Sequence, residues 1–226
     1  MQIAGNLTIQ NWKELSKNLS PDKDENWSLA FHFFEERIRT RYQNPINAIL
    51  KMEDNLGEGF AVVNLQCSLI ETIESFINGW IYHNDKKSDI STGWYLRKTE
   101  KINRVKNPLN QKENLKNEDI FISFFKNRET IKILNIDGLD FYKSVRCGLL
   151  HETQTKNGWK IWADGVDKSI DTKVIYRNNF QRDIEKVIVN YKNAITKGIE
   201  FKIEGISTKE LRDNFKSKFN HICDES

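Results

Sequence analysis

The sequence predicts a mainly helical bundle finished by a small antiparallel β element and a terminal helix. Three observations predict it. Apolar residues recur at three- and four-residue steps through long stretches of the first half. Helix breakers are scarce, with three prolines and eleven glycines in 226 residues. Past residue 158 the apolar spacing shortens to two, the period of a strand. At 38% hydrophobic and 11% aromatic residues, the chain carries enough apolar surface to form a core rather than remain disordered.

The first helix is read in "DENWSLAFHFFEERIRTRYQNPI", where Trp27, Phe31, Phe34, Ile38 and Tyr42 form one stripe. It is expected to stop at Asn44, because Pro45 disfavours helix in the residue before it. Glu35, Glu36, Arg37, Arg39 and Arg41 read as an exposed, mutually compensating face. The clearest core helix is "GFAVVNLQCSLIETIESFINGW", with Val62, Leu65, Leu69, Ile73, Phe76 and Trp80 in register. Glu71 and Glu74 on it read as solvation of its outer side. Residues 83–117 have little periodicity and many turn formers, which predicts a long loop with a short helix around 98–105.

"NEDIFISFFKNRE" and "IDGLDFYKSVRCGLLHE" are two further helices, the second capped by Asp137. "NGWKIWADG", "DTKVIYRN" and "GIEFKIEG" alternate as strands do. The amphipathic helix "RNNFQRDIEKVIVNYKNAI" lies between the second and third of them. "STKELRDNFKSKFNHI" closes the chain, its Ser207 and Glu210 spaced as a capping box. The expected organisation is a helical domain over 1–155 and an α+β extension over 156–226 packed on it.

A net charge of +3 is too small to make the whole surface a polyanion binder, so such affinity must come from a local cluster. Between Trp94 and Asn117 seven Lys or Arg stand against two acids, a solvated loop or a basic patch. Three widely spaced cysteines, Cys67, Cys147 and Cys223, give neither a disulfide framework nor a zinc pattern and suit a reducing compartment. The four histidines have no metal-ligand spacing with acids or cysteines, so neither metal nor cofactor is expected. A secretory leader and an uninterrupted apolar run of membrane-spanning length are both missing, which gives a cytoplasmic expectation.

Chemistry concentrates in "FYKSVRCGLLHETQTKNGWKI". Arg146 and His151 sit five apart on a helix, about 140° around its axis. They converge on one atom only if the histidine lies in the last turn, or if a two-fold axis brings two copies together. An imidazole can take a proton from a ribose 2′-OH or give one to the leaving 5′-oxygen. A guanidinium offers forked donors to phosphoryl oxygens as charge builds. Lys143 on the same helix, and Arg97 and Lys98 in the basic loop, are candidate phosphate contacts. Trp159 is either a platform for a splayed base or an anchor over the helix end. Cys147 and His151, four apart, could instead form a nucleophilic dyad, or Cys147 could be a small core residue.

Arg146-Cys147-Gly148-Leu149-Leu150-His151 near the end of a helix resembles the Arg-x4-His signature of the HEPN superfamily, a resemblance covering roughly residues 25–155. It implies a HEPN-like helical bundle. It also implies a homodimeric, metal-independent endoribonuclease acting on single-stranded RNA, with Arg146 and His151 catalytic. Relatives serve in toxin–antitoxin, phage-defence and CRISPR-associated systems, and others are inactive binding or scaffold domains. The family commonly has Asn, Asp or His after the arginine, where this chain has Cys147. A subgroup modified by an antitoxin has Tyr two residues after the histidine, where this chain has Thr153, so an antitoxin partner stays open.

Overall fold

The computed structural model describes residues 1–52, 57–83, 93–98, 101–104, 115–165, 167–198 and 206–224. Strands β1 (Gln2–Ala4) and β2 (Leu7–Thr8) form a small hairpin that leads into α1 (Ile9–Ser16). Thr8 and Asn11 cap that helix reciprocally, which satisfies two otherwise orphaned N–H groups. Helix α2 (Trp27–Ile38) buries Trp27, Phe31, Phe34 and Ile38, as its stripe predicts.

The helix does not stop before Pro45. It passes through a π turn (Arg39–Gln43) into α3 (Asn44–Leu50). Proline lacks an N–H and its ring crowds the carbonyl four residues back. The π turn widens the helix at that point, and the Asn44 N–H bonds to the Arg39 carbonyl, five residues earlier. Arg39 pairs with Glu36 at 2.6 Å, whereas Arg37 and Arg41 turn away from the outer face to the Ile3 carbonyl.

Helix α4 (Glu58–Ile77) is the central element and is buried nearly all round. It is long and apolar enough to cross a bilayer, yet most of its surface is covered by its neighbours. The stretch read as a loop begins with an antiparallel meander of β3 (Trp80–His83), β4 (Gly93–Lys98) and β5 (Lys101–Arg104). The helix expected over 98–105 is therefore replaced, in its described part, by two paired strands. Trp94 and Tyr95 are buried where β4 enters the fold, and ladder bonds satisfy the backbone they drag inward.

Helices α5 (Asn117–Asn127) and α6 (Glu129–Lys132) follow. Next comes a continuous helix over 138–152, made of α7 (Gly138–Phe141), a second π turn (Tyr142–Arg146) and α8 (Cys147–Glu152). Strands β6 (Lys160–Trp162), β7 (Ile170–Asp171) and β8 (Val174–Tyr176) form a sheet of order β6-β8-β7. This sheet is mixed rather than purely antiparallel, since β6 and β8 run parallel and only β7 opposes β8. The third expected strand, over 199–203, lies outside the described residues.

Helices α9 (Arg177–Lys197) and α10 (Thr208–Asp224) complete the chain, and Ser207 Oγ accepts from the Glu210 N–H at 3.2 Å. Tyr191 of α9 and Phe215 and Phe219 of α10 lie in the same hydrophobic cluster as Phe31, Phe34 and Phe76. The Phe215 ring is 5.6 Å from Phe76 and 5.8 Å from Phe31, spacings at which aromatic pairs add to simple burial. Burying each such ring is worth roughly 1.5–3 kcal/mol. The last two helices thus close the core that α2 and α4 open.

Candidate functional site

The helix over 138–152 starts where Asp137 accepts from the N–H groups of Leu139 and Asp140, the cap expected from sequence. A Cβ on Gly138 would lie 2.6 Å from the Phe121 carbonyl oxygen, so only glycine lets the helix start lie so close to α5. In the π turn the Cys147 N–H bonds to the Tyr142 carbonyl, five residues back. The helix ends at Thr153, in the left-handed region at φ 56°. The chain then folds back, its Lys156 N–H bonding to the Ser144 carbonyl at 2.8 Å.

Arg146 leaves the last residue of the π turn toward α4, where its Nε donates to Glu71 Oε1 at 2.9 Å. The pair is mostly covered, with side chains 18% and 20% exposed, and the guanidinium also stands 5.8 Å from the Tyr142 ring centroid. Burial works against its charge, but Glu71 outweighs that and raises its pKa above the ordinary arginine value. The Tyr142 hydroxyl is pushed up to about 12, by burial first and then by its contact with Cys147. Tyr142 therefore stays protonated.

His151 is exposed in the final turn. The structure thus brings Arg146 to Glu71 and leaves His151 at the surface one turn further along the same helix. Lys143 is exposed on the same helix and Cys147 is partly covered.

Trp159 does not offer its ring to a base. It is 6% exposed, stands edge-on to Phe141 at 5.4 Å, and donates from Nε1 to Asp140 Oδ2 at 3.1 Å. It anchors the segment after the motif over the start of the motif helix. Burial opposes ionisation of Asp140, but bonds from Ser144, Trp159 and Lys173 hold its carboxyl below the usual range. Arg97 and Lys98 belong to the β4 backbone, and their side chains lie outside the described residues.

Glu74, expected beside Glu71 on a solvent face, is instead fully buried. It binds Arg128 through Nε and through Nη2, the latter at 2.7 Å, and accepts from Ser123 Oγ at 2.9 Å. All three cysteines are free thiols. Among the described residues no group of three His, Cys, Asp or Glu side chains converges as a metal site would require.

Sequence reasoning missed a cleft of about 560 Å³ between α2, α4, the β3–β4 hairpin and α10. Arg37, Arg41, Lys218 and His221 supply its basic groups, Tyr42, Phe76, Tyr82 and Trp94 its aromatic ones, and Glu71 its carboxylate. The like charges Arg37 and Arg41, one helical turn apart, were the local signal. Lys218 lies at the other end of the chain, and no spacing rule connects it to them.

Compared with known proteins, the chain matches no family model, no curated protein and no solved structure.

Proposed function

We propose that the chain is a metal-independent endoribonuclease that cleaves single-stranded RNA as a dimer, with Arg146 and His151 carrying the reaction. The observation that supports this reading most is the contrast along one helix. Arg146 is held in place by Glu71 with its edge still open, while His151 stands exposed in the last turn. A second copy related by a two-fold axis could bring its own imidazole to that guanidinium.

In this site a neutral His151 removes the proton from a ribose 2′-OH, and the 2′-oxygen attacks phosphorus. The bond from phosphorus to the 5′-oxygen breaks, that oxygen takes up a proton, and a 2′,3′-cyclic phosphate is left. Arg146 stabilises the charge that builds on the phosphoryl oxygens. The resemblance to HEPN proteins, with toxin or phage-defence roles among them, agrees with this chemistry.

A second reading, an inactive RNA-binding or interaction domain, is favoured by the Arg146–Glu71 pair itself, which neutralises the guanidinium in the single chain. Cleavage of a labelled single-stranded RNA in EDTA separates the two. The enzyme reading expects turnover that falls at least about a hundredfold in His151→Ala and in Arg146→Ala. It expects Cys147→Ser to remain active, which disposes of the thiol dyad. RNA binding without turnover in the unaltered protein would decide for the binding domain.

A further inference from the structure

The cleft between α2, α4, β3–β4 and α10 uses none of the chemistry assigned to Arg146 and His151, and its composition asks for a ligand. Arg37 Nη1 and Arg41 Nη2 donate to a single backbone acceptor, the Ile3 carbonyl, at 2.7 and 3.2 Å. Among the described residues neither pairs with a carboxylate. Among the described residues Glu71 is the one acid on the wall, and its Oε1 is engaged by Arg146. Lys218, 9% exposed, enters from α10, donates to the Trp80 carbonyl at 2.7 Å and stands 5.4 Å from the Trp94 ring centroid. Holding two guanidinium cations beside a buried lysine opposes folding through mutual repulsion and desolvation. A bound anion would relieve both.

The shape of the cleft narrows the anion. Its volume suits a small molecule. Tyr82, 44% exposed and edge-on to Trp94 at 5.2 Å, gives an aromatic surface at the rim. We infer that this cleft binds a nucleotide phosphate, with Arg37, Arg41 and Lys218 on the phosphate and Tyr82 against the base. The ligand is either a free mononucleotide or the 5′-phosphorylated end of a nucleic-acid strand.

Proton linkage gives an independent signature. Burial, and then the charge of Arg37, push the Lys218 pKa down to about 7. A phosphate placed beside it favours the ammonium form, so binding takes up a proton and tightens as pH falls from about 9 to 7. The phosphate monoester stays doubly charged over that window. Among the described residues, the other charged and titratable groups lining the cleft with Lys218 are Arg37, Arg41 and Tyr42 from the α2 side, Glu71 from α4, Tyr82 from β3 and His221 from α10, and its ammonium donates to the Trp80 carbonyl.

The test is calorimetric titration of the full chain with AMP, inorganic phosphate, adenosine and a 5′-phosphorylated deoxytrinucleotide, which has no 2′-OH to be cleaved. AMP should bind, phosphate more weakly, and adenosine weakest. The trinucleotide matching or exceeding AMP would identify a strand end as the ligand, and its exclusion would identify the free nucleotide. Arg41→Gln, at an exposed position that leaves the core intact, and Lys218→Met should each weaken AMP at least about tenfold. Lys218→Met should also flatten the pH dependence. Tyr82→Ala should weaken AMP and leave phosphate unchanged. No AMP binding, or AMP binding indifferent to Arg41→Gln, overturns the inference; equal affinity for AMP and phosphate, with Tyr82→Ala neutral, overturns its nucleotide part. RNA cleavage is read separately, so this inference and the ribonuclease reading fail independently.

Discussion

Glu74 and Arg128 share a site from which water is excluded, with side chains 0% and 1% exposed. Ser123 supplies a further hydrogen bond, and Asn78 Nδ2 approaches Glu74 Oε2 at 3.3 Å. Removing one member leaves the other charge buried without its counter-ion. Arg128→Met should therefore cost about 3–5 kcal/mol, and replacing both by apolar residues should recover much of that; urea denaturation of the single and double variants measures it. Three residues earlier on the same helix, Glu71 pairs with Arg146 at 20% and 18% exposure. Water shares that site, so Glu71→Gln should cost no more than about 1 kcal/mol and leave the fold intact. Nothing in the local sequence separates the two glutamates. Their fates are set by partners 54 and 75 residues away.

At the scale of the element, the motif helix depends on how closely the chain returns over its end. A Cβ on Gly148 would lie 2.5 Å from the Gln154 carbonyl oxygen, and that atom is backbone, with no flexible side chain to yield. Gly148→Ala should destabilise the protein by about 1–3 kcal/mol and disturb the His151 turn. Leu150→Ala, at a residue 49% exposed, should change stability by about 0.5 kcal/mol or less. Thermal denaturation of both variants checks the contrast.

Such contrasts show which elements can be read from sequence. The Asp137 cap and the stripes of α2 and α4 are legible because their causes are local: side-chain chemistry and a three-to-four period. The π turn before Pro45 is not, since it answers a proline that local rules read as a stop. The β4–β5 hairpin is hidden because half of its strand residues are Lys, Arg or Asn, which read as loop. The parallel pairing of β6 with β8 depends on a partner fourteen residues on, Lys160 opposite Val174. Of the candidate site, the positions of Arg146 and His151 on one helix are legible. The capture of Arg146 by Glu71 and the burial of Trp159 are tertiary facts.

At the scale of the whole molecule, the ends of the chain are tied into one body. Arg212 of α10 donates to Asp24 Oδ1 at 2.7 Å and to the Ile195 carbonyl at 2.9 Å, and lies over the Trp27 ring at 5.3 Å. Arg146 and His151 are five residues apart on the helix of such a unit, about 140° around its axis, so the proposed reaction draws on a second copy. In a two-fold dimer each site would take Arg146 from one protomer and His151 from its partner. That arrangement predicts complementation. Arg146→Ala and His151→Ala dimers are each inactive. A heterodimer of the two has one site with both groups and one with neither. Mixing equal amounts under conditions that exchange subunits makes about half the dimers mixed, so about one quarter of the sites are restored. RNA cleavage in EDTA should rise to roughly that share of unaltered activity, in step with the mixed-dimer population measured by native mass spectrometry. A mixture that forms heterodimers and stays inactive would show that no site is shared between protomers, and a protein that sediments only as a monomer would remove the two-fold site altogether.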